Sequence, residues 1–159
     1  MTSKVDYTNS EWNLLKQAIT LIWIIVTASD LTLFSALKEV FAFTQKIKNA
    51  KLNYQDNQLI QDLLADISDE EEETKINEIE TAENFEDFLE DALKKLKAAV
   101  AIAQIKATQK EAQEYTEFLY EIAIQIANAS GEGMFGTGPK VSKKEAIVLE
   151  QLKIALNLA

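Results

Sequence analysis

Residues 18–28, AITLIWIIVTA, constrain the fold more than any other stretch of this chain. Thr20 and Thr27 are the only polar members. As a helix these eleven residues rise about 16 Å, roughly half of a bilayer's hydrocarbon core, so the run is too short to span a membrane. Its apolar side chains fall on every face, and a helix of that kind must be surrounded by other helices. The stretch before it carries Asp6 and Glu11 and no basic cluster, unlike the start of a secretory leader. The expectation is a buried central helix from an N-cap at Ser10 to about Ser29, in a cytoplasmic protein with no transmembrane segment.

Helical grammar continues along the chain. Asp30 or Thr32 caps a second helix, LTLFSALKEVFAFTQKIKNAK, and Asn53 caps a third, YQDNQLIQDLLADI. Residues 67–84 contain four consecutive glutamates and few apolar anchors, which predicts a solvated linker. Asn84 caps FEDFLEDALKKLKAAVAIAQIK, whose acids precede its lysines as the helix dipole favours. Thr108 with Glu111, and Ser142 with Glu145, have capping-box spacing and open two further helices, to about Ser130 and Leu158. The fold expected is all-α: a single domain over 1–159 with about six helices.

Composition removes whole classes of chemistry. The 159 residues include no Cys, His or Arg, and all 16 basic residues are Lys. Thiolate and imidazole catalysis, thiolate or His-ligated metal sites and guanidinium forks are therefore excluded. A metal held by side chains would be held by oxygen, which selects Ca²⁺, Mg²⁺ or Mn²⁺. The net charge of −10 disfavours a nucleic-acid partner. That charge is concentrated: residues 62–91 hold 14 acids and one lysine, a net of −13, and the rest of the chain carries 12 acids and 15 lysines, a net of +3. No nucleophile–base pair is visible, so no enzymatic activity is expected. Glu86, Asp87, Glu90 and Asp91 are spaced as a solvated helix face.

All four glycines and the one proline lie within 131–139, GEGMFGTGP. Two readings stand: a helix end followed by a turn, or a loop whose backbone approaches a ligand. No phosphate-binding pattern is present there.

The chain also echoes itself. Residues 21–30, LIWIIVTASD, and 122–131, IAIQIANASG, both close an apolar helix on Ala-Ser. Downstream of each stands a cap followed three residues later by an acid: Asn53 with Asp56, and Ser142 with Glu145. In this the chain resembles the tellurite-resistance protein TerB family, small all-helical proteins with a two-fold internal repeat. Residues 28–30 match the family's first small-Ser-Asp corner, with Leu31 in place of Gly, residues 129–132 match the second with the Asp-Gly order changed, and residues 141–145 match the second helix opening.

The resemblance implies a pseudo-two-fold TerB-like stress-response (tellurite-resistance) module that binds a divalent cation, Ca²⁺ or another hard ion such as Mg²⁺ or Mn²⁺. Asp30, Glu132 and Glu145 are the positions carried over, and Asp56 joins them through the repeat alignment. The alternative is a helical protein–protein adaptor or scaffold without a metal site. Either reading implies a protein partner.

Overall fold

The computed structural model describes residues 1–29, 47–68, 85–130 and 141–159. Five helices are delimited: α1 (Asn9–Ser29), α2 (Gln58–Ser68), α3 (Phe85–Lys106), α4 (Gln109–Ser130) and α5 (Lys143–Ala155). Residues 47–53 form a further helical segment, and a 3-10 turn (Lys4–Asp6) precedes α1. The described residues contain no strand. The protein is an all-α single domain.

Helix α1 is the hub, packing against α2, α3, α4 and α5. Seven consecutive residues, Leu21 to Thr27, are all buried, nearly two full turns with no solvent face. Among the described residues α1 is the one helix whose length and apolarity suffice to cross a membrane. Its burial among four other helices instead makes it the core helix. Helix α3 meets it through small residues, Ala92, Ala99 and Ala103, set between Leu96 and Val100, so the two axes can approach closely. Helix α4 contributes Tyr115, Phe118, Leu119, Ile122 and Ile126 at spacings of three and four, all completely buried. The buried Tyr115 hydroxyl donates to the Leu15 carbonyl oxygen at 2.9 Å, tying α4 to α1.

Two helix starts differ from the sequence reading. Helix α1 begins two residues earlier than expected, because Thr8 rather than Ser10 caps it: Thr8 N donates to the Glu11 carboxylate at 2.7 Å, and Glu11 N donates to Thr8 Oγ1 at 3.3 Å. Helix α2 begins at Gln58 rather than after Asn53, with residues 54–56 in a turn. The cap there is Asn57, whose Oδ1 accepts from Ile60 N at 3.0 Å. Asn57 is fully buried and its amide also donates to the Glu111 carbonyl at 3.2 Å and to Glu114 at 2.9 Å. Asn53 has no comparable place, since residues 47–53 are still helical. Most of the expected second helix, the 69–84 part of the linker with Asn84, and 131–140 lie outside the described residues.

Candidate functional site

The four residues proposed for a cation are not gathered among the described residues. Asp30 and Glu132 lie outside them. Asp56 is exposed in the turn before α2. Glu145 is buried, 2% exposed, and its carboxylate accepts from Ser142 N at 2.7 Å while Glu145 N donates to Ser142 Oγ at 3.2 Å. It occupies the third position of α5, whereas Asp56 precedes the cap of α2, so the two are not at equivalent positions. No group of three or more acids is arranged to hold a metal ion among the described residues.

Carboxylates do converge at the amino end of the molecule, where their work is structural. Glu111 is 4% exposed and accepts from Thr2 N at 3.1 and 3.3 Å, Thr2 Oγ1 at 2.6 Å, Thr108 N at 3.2 Å and Thr108 Oγ1 at 2.8 Å. Burial pushes its pKa upward, but the hydrogen bonds from Thr2 and Thr108 outweigh that and hold it below the ordinary value. Glu11 is held at about 2, first by the Lys106 ammonium 2.6 Å away and then by Thr8. Asp66 accepts from Lys4 Nζ and Trp12 Nε1, each at 2.7 Å, and both bonds lower its pKa. Lys4 also lies over the Trp12 ring at 5.9 Å, and Lys106 over the Tyr7 ring at 5.7 Å. These contacts clasp residues 2–12 to α2, α3 and α4. The acids involved are occupied by the chain's own donors.

A surface able to receive another molecule lies elsewhere. A groove of about 720 Å³ is walled by Phe85, Glu86, Leu89, Glu90 and Leu93 of α3 and by Lys144, Ile147, Val148 and Gln151 of α5, and is closed at one end by Ala28 and Ser29. The last residues of α1 thus meet the first turns of α3 and residues 144–151 of α5. Leu89 and Val148 are buried in the floor, while Ile147 stands 62% exposed on the rim. The α3 rim carries Glu86 and Glu90, the latter bound to Lys94 at 2.7 Å. The α5 rim carries Lys144. An apolar trough with charged rims accepts an amphipathic helix through shape and hydrophobic burial.

No protein-family model, curated protein or solved structure matches the chain. Sequence reasoning missed the groove because its two walls are about 60 residues apart in the chain. One signal was available: Ile147 and Ile154 sit seven residues apart on one face of α5, away from the Val148–Leu152–Ala155 core face.

Proposed function

We propose that the protein is a non-enzymatic helical adaptor, and that the α3–α5 groove is its docking surface for an amphipathic helix. The observation that carries this reading is the 62% exposed Ile147 beside an apolar trough between oppositely charged rims. Isolated exposed apolar residues are common, but this one adjoins a concave surface with an apolar floor. A photo-crosslinking amino acid placed at Ile147 tests the reading in the source cells. It should yield a discrete crosslinked species, and the same label at the exposed Lys51, beside α2, should not. Absence of a specific species from Ile147 would remove the adaptor function. The cysteine-free composition agrees with a cytoplasmic setting.

The TerB-like cation-binding function competes with this reading. It draws less support from the described geometry, because Glu145 already serves its helix start. Calorimetry with Ca²⁺, Mg²⁺ and Mn²⁺ on the native chain and on Glu145→Gln discriminates the two. A saturable heat lost in the variant would favour the cation.

A further inference from the structure

We infer that the helix received by the groove is α5 of a second copy of this chain, so that the protein forms an antiparallel two-fold dimer across α3 and α5; this rests on the reading of the groove as a docking surface. Along α5, Lys144, Ile147, Gln151 and Ile154 recur at spacings of three, four and three. That is the spacing of a coiled-coil seam, and it runs beside the separate face that α5 buries in its own core. Ile147 and Ile154 are 62% and 55% exposed and lie on either side of Gln151. A stripe with that order reads the same in both directions. Laid antiparallel on a copy of itself, it sets each Ile147 against the other chain's Ile154 and brings the two Gln151 amides together. An amide both donates and accepts, so a Gln–Gln pair is self-complementary at a two-fold axis.

Charge on α3 fits the same axis. Its exposed first half carries Glu86, Asp87, Glu90 and Asp91, and Lys94, Lys95 and Lys97 follow. A two-fold axis that reverses α5 in the second copy also reverses α3. The acids of one copy then approach the lysines of the other, whereas a parallel arrangement would face acids with acids. The groove is shared rather than self-filled: the second α5 lies in the trough of the first copy, and the first α5 lies in the trough of the second. The interface closes on itself and leaves no free end for polymerisation.

The test uses the full chain, whose lack of cysteine makes any introduced thiol a clean reporter. Sedimentation equilibrium should show a monomer–dimer equilibrium. Ile147→Glu combined with Ile154→Glu, both at exposed positions, should weaken it by at least about tenfold while circular dichroism stays unchanged. Gln151→Cys should form a disulfide-linked dimer under mild oxidation, and Lys51→Cys, exposed beside α2 and away from both α3 and α5, should not. A chain that stays monomeric up to about 1 mM overturns the second-copy proposal. If Ile147 in that monomer still crosslinks to a different protein in cells, the adaptor reading survives alone; if it does not, both fall. A dimer unaffected by the Ile147 and Ile154 substitutions, or without a Gln151→Cys crosslink, also overturns the proposal, because the copies would then meet through another face.

Discussion

Three of the described helices start on a hydroxyl residue and a glutamate three positions later, and the three glutamates differ in what else they do. Glu145 is buried at the start of α5. Glu11 caps α1 and reaches Lys106. Glu111 caps α4 and also receives the backbone and hydroxyl of Thr2, more than 100 residues away. Glu111 therefore holds a segment that has few apolar anchors of its own. Glu111→Ala should destabilise the chain by about 2–3 kcal/mol in urea denaturation, because it strands buried donors as well as losing a charged acceptor. Glu145→Gln keeps a side-chain oxygen at the cap and should cost about 1 kcal/mol or less by the same measurement. The opposite sign is expected inside α1. The Thr27 hydroxyl is buried and has no hydrogen-bond partner among the described residues. Thr27→Val has nearly the same shape and should raise stability by about 1 kcal/mol; a loss of stability would show that the hydroxyl is satisfied in solution.

At the scale of helices, the sequence foretold existence and type better than ends. The run at 18–28 demanded a surrounded helix, and residues 21–27 of α1 are surrounded because no face of that part can meet water without exposing Ile, Leu, Val or Trp. The boundaries of α3, and of α4 after its Thr108 box, were legible because charge order and capping spacing are local signals. The start of α2 was not. Asn53 and Asn57 are both competent caps, and the choice of Asn57 is made by long-range bonds to Glu111 and Glu114 that no local window contains. At the start of α1, Thr8 and Ser10 both precede the same apolar run, and the bond from Glu11 N selects Thr8. The groove needed tertiary knowledge, being made by helices that the chain order keeps apart. Helix α1 should also be the most sensitive to truncation. Ile22→Ala, at a fully buried position, should cost about 2–5 kcal/mol, whereas Ile105→Ala, 80% exposed on α3, should change stability by less than about 0.5 kcal/mol. Similar losses at both positions in chemical denaturation would contradict the central placement of α1.

Across the whole molecule, the carboxylates of the amino-terminal clasp set how stability changes as pH falls. Glu11 falls from an ordinary value of 4.5 to about 2 on folding, and Asp66 and Glu111 are lowered as well. A lowered folded pKa means that the unfolded chain binds protons more readily, so the stabilisation is complete above the ordinary value and is lost as pH falls through the folded one. For Glu11 that window runs from about 4.5 down to about 2. The melting temperature should therefore drop steeply below about pH 4. Lys106→Gln removes the first cause of the Glu11 shift. It should lower the melting temperature at pH 7 and make the acid drop shallower. An acid drop that does not change in this variant would be assigned to other carboxylates and would mean that the Lys106–Glu11 bond contributes little to holding the amino-terminal clasp on the body.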